Sequence, residues 1–189
     1  MCSMCENCNM SLERAREIVS SLPSLYNLQG FEEEAIKMLL DSGRASRSNT
    51  ISEFRGEYGF LSNFYAVPVV FEGLMYLNSE AAFQSAKTTD MSVREEFTHL
   101  SAVDAKRRGR YVRLREDWEN VKLSVMYQVC WAKFSQNECL KKRLIDTGDA
   151  NLEEGNTWGD RYWGTVNGVG ENNLGKILMR VRAELRQVN

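Results

Sequence analysis

The sequence predicts a mainly α-helical protein with a few short β-strands, organised as a compact single domain behind a helical N-terminal extension. Apolar residues recur at helical spacing through most of the chain, whereas the β-branched runs are short and bounded by turn residues. The polar stretch over residues 44–50 shows neither period and is typical of a linker. We therefore expect the extension to cover residues 1–50 and the main domain to cover residues 51–189.

Composition restricts the class of protein. With 189 residues, of which 43% are hydrophobic and 26% charged, the chain is long enough to bury a substantial core and has an ordinary globular composition. It contains neither a long apolar run nor a basic segment followed by an apolar one, so we expect a cytoplasmic protein without a membrane span or signal peptide. The net charge of −2 and the isoelectric point near 5.6 disfavour a broad surface for duplex nucleic acid, although a local phosphate site stays open.

The N-terminal extension carries cysteines at C-x-x-C spacing, followed by two helical patterns over residues 11–22 and 30–41. Cys2, Cys5 and Cys8 are spaced to bring thiolates onto one metal ion, but a closed zinc site takes four ligands. A structural zinc completed by another residue is one hypothesis, and a flexible cysteine-bearing terminus is the other. The odd total of five cysteines, without a secretory signal, argues against a disulfide framework.

The elements of the main domain follow from periodicity, caps and turn residues. Short strands are predicted over residues 51–54 and 67–71, and Glu72-Gly73 turns the second strand into a hairpin with residues 74–77. The stretch GEYGFLSNF, residues 56–64, combines glycines with aromatic residues and is expected to form a ligand-facing loop. Further helices are predicted over residues 92–100, 102–108, 118–134 (with Asp117 as its cap), 138–146 and 173–188.

The stretch NSEAAFQSAKTT, residues 78–89, has the composition of a helix that lines a site. Ser79 is expected to cap this helix, which runs over residues 80–88. One helix face then carries four residues at i, i+3, i+4 and i+7: Glu80, Phe83, Gln84 and Lys87. The other faces hold small residues that allow close packing. Two interpretations stay open, because this face either lines a pocket or is an ordinary solvated surface.

The densest positive run of the chain lies in residues 106–115. A solvated helix end followed by an extended segment is sufficient to explain it. The functional alternative is phosphate binding, since guanidinium groups such as those of Arg107 and Arg110 bind phosphate oxygens in a bidentate manner.

The segment GNTWGDRYWGTVNGVG, residues 155–170, is too rich in glycine to form a regular element. It nevertheless carries Trp158, Tyr162 and Trp163, together with Asp160. Indole rings offer planar surfaces on which a base can stack. The alternative is that the segment is a packed cover over the core.

Five strings, in this order, carry a resemblance to a known family: GEYGFLSNF, SEAAFQSAK, AKRRGR, DRYWG and NNLGKILMRVR. They make the chain from Ile51 onwards similar to the NADAR, or YbiA-like, family. The resemblance implies a YbiA-like fold and an N-glycosidase that acts on phosphorylated early riboflavin-pathway intermediates or on guanine bases carrying ADP-ribose. Thr165 stands where some members have an aspartate after YWG, a difference that bears on the substrate more than on the reaction type.

Hydrolysis of a ribosyl carbon–nitrogen bond passes through an oxocarbenium-like state, which a carboxylate near the anomeric carbon stabilises. Glu80 is the expected catalytic carboxylate, held in its ionised form by the start of its helix, and Asp160 is the second carboxylate. The chemistry asks for no metal or redox cofactor. The expected substrate-binding residues are Asn63, Phe64, Phe83, Gln84, Lys87, Arg107, Arg110, Trp158, Tyr162 and Trp163.

Two other classes of protein stay open. A non-catalytic binding module for ADP-ribose or NAD-like ligands would keep the aromatic and basic residues but would not need an ionised Glu80. A nucleic-acid-binding protein would need a wider basic surface than this acidic chain offers. The sequence does not choose between a small phosphorylated ribosyl metabolite and an ADP-ribosylated nucleic acid base as the partner. It predicts no membrane partner.

Overall fold

The computed structural model describes residues 50–187, together with Glu13 and Glu17, which are helical and exposed. The chain divides into two units, Met1–Ser48 and Asn49–Asn189, and the strands and helices with defined bounds lie in the second. The predicted zinc ligands Cys2, Cys5 and Cys8 lie outside the described residues. So does most of the two helices predicted over residues 11–22 and 30–41.

The strands form two small sheets. β1 (Thr50–Ile51) pairs in parallel with β4 (Asn151–Leu152), and β2 (Ala66–Phe71) pairs antiparallel with β3 (Leu74–Asn78). The predicted hairpin is confirmed, with Glu72 and Gly73 at its turn in positive-φ conformations of 46° and 82°. β1 is shorter than predicted and β4 was not predicted, because each consists of two residues whose pairing partner lies far along the chain.

The helices of residues 50–187 mostly follow the predicted bounds. The predictions for residues 102–108 and 138–146 are confirmed at both ends, and that for 118–134 is one residue short. The segment predicted as one helix over 92–100 instead contains an α-helix followed by a 3₁₀ turn, Phe97–His99. In chain order the α-helices are α1 (Ser79–Ser85), α2 (Met91–Glu96), α3 (Ala102–Arg108), α4 (Trp118–Ser135), α5 (Glu138–Asp146) and α6 (Asn173–Gln187).

The core lies around α4, which contacts α1, β2, α5 and α6. Apolar residues at helical spacing, among them Trp118, Val125 and Val129, are buried along α4. α6 covers α4 with its own buried stripe of Leu174, Leu178, Val181 and Leu185. Helix α1 is buried on every side, and this burial places the polar residues of α1 inside the protein.

Four local predictions are wrong. The helix predicted over residues 80–88 instead runs over Ser79–Ser85. Asn78, not Ser79, caps α1, and its Oδ1 accepts from the Ala81 N–H at 2.8 Å. Asp117 stands at the start of α4, but its side chain makes no capping hydrogen bond to the helix. Its Oδ1 instead accepts from the Arg115 guanidinium at 2.6 Å. Residues Gly56–Leu61, expected as part of a loop, form a 3₁₀ helix.

Among the residues that the structure describes, no helix is long and apolar enough to cross a membrane. The predicted cytoplasmic location stays a prediction.

Candidate active site on the buried helix α1

The centre of the candidate site is Glu80, in the first turn of α1. Its side chain is buried, with 7% of the residue's surface exposed, so the solvated-face interpretation of α1 is wrong. The backbone N–H of Glu80 donates to the Asn63 carbonyl at 3.0 Å, and its Oε1 accepts from the Gln84 amide at 2.9 Å. The i, i+4 spacing predicted for Glu80 and Gln84 thus becomes a buried hydrogen bond.

The protonation of Glu80 differs from the sequence expectation. Burial raises its pKa, and this effect outweighs the Gln84 hydrogen bond and the charges of Lys106 and Lys87, which lower it. The carboxylate of Asp160 raises the pKa further. The expectation that the helix start would favour the ionised form was therefore wrong in direction, because the sequence did not reveal how deeply α1 is buried.

Close packing between α1 and the end of α3 holds Gln84 in place. A β-carbon added at Gly109 would lie 1.9 Å from Gln84 Oε1, so the Gln84 side chain would have to move to admit it. Within the described residues, Gln84 Oε1 and Asn63 Oδ1 are buried without a hydrogen-bond partner. The Asn63 amide donates to the Met126 sulfur at 3.1 Å. Two predicted binding residues therefore keep unused acceptors in this region.

Two lysines bring positive charge to Glu80. Lys87 donates to the Gly109 carbonyl at 3.2 Å, and burial lowers its pKa while Glu80 raises it. Lys106 of α3 acts on the pKa of both Glu80 and Lys87. Lys106 was not among the predicted site residues. A sequence signal for it existed in the spacing. Lys106 stands four residues after Ala102, so the two residues share one face of α3, and Ala102 is buried.

The two arginines predicted for the site take different places. Arg107 is paired with Asp104 on the surface of α3, and its side chain is 71% exposed. Arg110 is exposed as well, but its charge contributes to lowering the pKa of Lys87. The structure therefore brings Lys106 and Arg110 towards Glu80 and Lys87, and leaves Arg107 in a surface ion pair.

Two exposed aromatic rings lie beside Lys106. Phe64 is 41% exposed and Trp158 is 56% exposed, which is unusual for rings of this size. The Lys106 ammonium lies 5.5 Å from the Phe64 ring centre and 6.0 Å from that of Trp158. The guanidinium of Arg55 also lies over the Trp158 ring, 5.6 Å from the ring centre. Phe64, Trp158, Lys106 and Arg55 are called the rim below.

The remaining predicted aromatic residues are packed into the structure. Phe83 is buried between Trp118 and Trp163, with both ring centres at 5.3 Å. Trp163 is half-buried and also meets Tyr162 edge-on at 5.0 Å. Tyr162 in turn lies under the Lys122 ammonium, at 4.2 Å. For Tyr162 and Trp163 the packed-cover interpretation describes the contacts better than an open stacking surface does.

Asp160 organises the loop that carries these tryptophans. Its Oδ1 accepts from the backbone N–H groups of Tyr162 and Trp163, at 3.1 and 2.9 Å. Its backbone is held by Asn156, which donates to the Asp160 carbonyl at 2.6 Å and accepts from the Asp160 N–H at 3.0 Å. The Asp160 charge also raises the pKa of Glu80. The catalytic role expected for Asp160 therefore stays a prediction, in addition to its role in holding the loop.

A third carboxyl group, Glu154, was missed by the sequence reasoning. It is half-buried, and burial together with the charges of Asp160 and Glu80 raises its pKa to about 7, while Lys106 lowers it. A sequence signal existed: Glu154 follows the buried Leu152 by two residues, and alternate residues of an extended segment point to the same side. Thr165, the position where the chain differs from some NADAR members, is buried beside it, and its hydroxyl donates to the Glu153 carboxylate.

Lys133 of α4 fixes the loop that carries Asn63 and Phe64. Its side chain is fully buried, and its ammonium donates to the Ser62 carbonyl at 2.7 Å. Burial lowers the pKa of Lys133 to about 7. No sequence pattern predicts this contact, because it joins two residues that are 71 positions apart in the chain.

The NADAR domain family matches residues 51–186 of this chain. This chain belongs to the NADAR domain family. It is 41% identical to the N-glycosidase YbiA of Shigella boydii over 68% of its own length and 82% of that relative. It is 37% identical to the riboflavin biosynthesis protein VVA0006 of Vibrio vulnificus over 69% of its length, a match that spans 36% of that longer protein.

The structure is also similar to a solved one. The NMR structure of the Escherichia coli protein YbiA superimposes with a TM-score of 0.65 and 36% identity, over 76% of this chain and 92% of YbiA. The predicted mainly helical, YbiA-like fold with few short strands is confirmed. Since the family's relatives are named N-glycosidases, the predicted reaction class, an N-glycosidase, is confirmed as well.

Proposed function

We propose that this protein hydrolyses the ribosyl carbon–nitrogen bond of a phosphorylated nucleotide-like substrate, with Glu80 as the carboxylate that faces the reacting carbon. One observation carries the proposal. Glu80 is a buried carboxyl whose charged form is supported by Lys87, Lys106 and the Gln84 amide. A buried carboxyl with a perturbed pKa and defined partners is typical of an acid–base or electrostatic catalyst.

The chemistry needs such a group because positive charge develops on the ribosyl carbon as the bond to nitrogen breaks. A preorganised carboxylate in a buried place stabilises that charge more strongly than one in water does. Glu80 is held by its backbone bond to Asn63 and its side-chain bond to Gln84, so little reorganisation is needed when the charge appears. The charged form of Glu80, which Lys87, Lys106 and the Gln84 amide support against the effect of burial, also accepts a proton from the attacking water.

The positive groups around Glu80 fit the phosphate of the substrate. Lys87, Lys106 and Arg110 supply charge on one side, and the rings of Phe64 and Trp158 offer faces for a base. The Vibrio vulnificus relative is named for riboflavin biosynthesis, which supports a phosphorylated early intermediate of that pathway as the substrate. Guanine carrying ADP-ribose is the second candidate, and no cofactor takes part in either hydrolysis.

Replacing Glu80 with Gln tests the proposal. The change keeps the shape and an oxygen that accepts from Gln84, but it removes the charge. We expect kcat to fall by roughly a hundredfold to a thousandfold, with the dissociation constant of the substrate unchanged. The measurement is mass spectrometry of the released sugar phosphate or ADP-ribose, with both candidate substrates. The matched control is Glu153→Gln, at a half-buried glutamate that accepts from the Thr165 hydroxyl, and this variant should keep its activity.

Two outcomes would contradict the proposal in different ways. Turnover by Glu80→Gln near the wild-type rate would remove Glu80 from the mechanism. Tight binding of both substrates by the wild-type protein without any turnover would instead favour the binding-module alternative.

A further inference from the structure

Glu154 stands out among the carboxyl groups near Glu80 because its own carboxyl group has no hydrogen-bond or ion-pair partner within the described residues. Glu80 is bound by Gln84, and Asp160 is bound by two loop amides. Glu154 is also incompletely buried, so a substrate and its protons can reach it. Of the three carboxyl groups, it is the one that is left available.

The backbone of Glu154 is held tightly, in contrast to its side chain. Its N–H donates to Asn172 Oδ1 at 3.1 Å, and its carbonyl accepts from the Thr165 N–H at 2.9 Å. A β-carbon at Gly164 would lie 2.1 Å from the same carbonyl, so the loop after YWG packs directly against this residue. On the other side, the Gly155 N–H donates to the Ser52 carbonyl at 3.1 Å. The carboxyl group is therefore presented from a fixed backbone.

The charged groups that face Glu154 come from three different elements. Asp160 belongs to its own loop, Glu80 to α1 and Lys106 to α3. The two carboxylates and burial together raise the pKa of Glu154 to about 7, against the opposing charge of Lys106. Near neutral pH a substantial fraction of Glu154 is therefore protonated, as a proton donor requires.

We propose that Glu154 is the general acid of the reaction, the residue that delivers a proton to the leaving nitrogen. The assignment rests on the proposed function and divides the work between two carboxyl groups of unlike surroundings. In this division Glu80 acts at the ribosyl carbon in its charged form, which Lys87, Lys106 and the Gln84 amide support against burial, and Glu154 acts at the departing base in its protonated form.

The step balances without any further reactant. The ribosyl carbon–nitrogen bond breaks, its electron pair goes to the nitrogen, and that nitrogen takes the proton from the Glu154 carboxyl. Water adds its oxygen to the ribosyl carbon and gives one proton to Glu80. The products are the free sugar phosphate and the free base, and exchange of protons with solvent returns both glutamates to their starting states.

The test is a pH profile of kcat/KM for the wild type, Glu154→Gln and Glu153→Gln, with a phosphorylated ribosyl intermediate of the early riboflavin pathway and with ADP-ribosylated guanosine as probes. In the wild type we expect the rate to fall as the pH rises through about 7, because Glu154 loses its proton. Glu154→Gln should be slower by roughly a hundredfold to ten-thousandfold, and its residual rate should lack that fall. Glu153→Gln should keep both the rate and the fall.

Probe binding by Glu154→Gln, measured by calorimetry, separates a chemical effect from misfolding, and we expect affinity within threefold of wild type. A fall above pH 7 that persists in Glu154→Gln, a rate close to wild type, or a loss of binding that matches the loss of rate would each overturn the assignment of Glu154. If the wild type cleaves neither probe, the proposed function itself fails and the assignment falls with it.

Discussion

The two sides of the candidate site are built differently. The α1 side, with Glu80 and Gln84, is buried and held by short contacts to Asn63 and Gly109. The rim consists of two exposed rings and two cations, which the described part of the chain brings together through cation–π contacts. We expect the fold to tolerate removal of a side chain from the rim, whereas a single carbon added at Gly109 would displace the Gln84 side chain.

This difference separates chemistry from binding. Groups that act on the transition state must already be in place, and burial with hydrogen bonds achieves this on the α1 side. Groups that hold the base and phosphate act equally on substrate and transition state, and exposed, adaptable side chains are sufficient for that. Changes on the α1 side should therefore lower kcat, and changes at the rim should raise KM.

Among the variants that test the difference between the two sides, Gly109→Ala should have the largest effect on kcat. Because the new β-carbon would lie 1.9 Å from Gln84 Oε1, Gln84 must leave its place beside Glu80. We expect kcat to fall about a hundredfold and the unfolding free energy to drop by about 1–3 kcal/mol, measured by steady-state kinetics and urea denaturation.

Gly59→Ala is the matched control, because a β-carbon at Gly59 meets no atom within 4 Å. It should leave both quantities nearly unchanged. A Gly109→Ala protein with wild-type kcat would show that the position of Gln84 does not matter for the chemistry.

A middle-sized effect is expected for Lys106→Ala. Loss of this ammonium removes one phosphate-binding charge from the rim, so KM should rise about tenfold, or about 1.4 kcal/mol. The variant should also move the acid limb of the kcat/KM pH profile to higher pH, because Lys106 lowers the pKa of Glu80 and its loss raises it. Arg107→Ala, one residue along the same helix but in a surface ion pair, should change KM less than twofold. Equal effects of the two variants would contradict the placement of Lys106 at the site.

The smallest effect is expected for Trp158→Ala. One exposed ring face that stacks on a base contributes about 1 kcal/mol, so KM should rise about fivefold while kcat stays within twofold. Trp158→Phe keeps a stacking surface and should restore most of the affinity. If Trp158→Ala instead lowers kcat and leaves KM unchanged, the division between the two sides of the site is wrong.

The sequence by itself determined the local elements and the placement of the reactive helix. Helices α3 and α5 begin and end where periodicity, caps and turn residues predict, since these signals depend on neighbours in the chain. The shared face of Glu80 and Gln84 also follows from spacing alone, because an α-helix repeats every 3.6 residues. The five motif strings led to the family and to its reaction class.

Tertiary structure decided which charged residues meet and what their pKa values are. Lys106 faces Glu80 while Arg107 faces solvent, although both belong to one basic run. Glu154 reaches the site because β4 pairs with β1, a contact between two-residue strands far apart in the chain. Burial raises the pKa of Glu80 and lowers that of Lys133. The desolvation of a charge depends on everything packed around it, and a linear pattern of residues does not contain that sum.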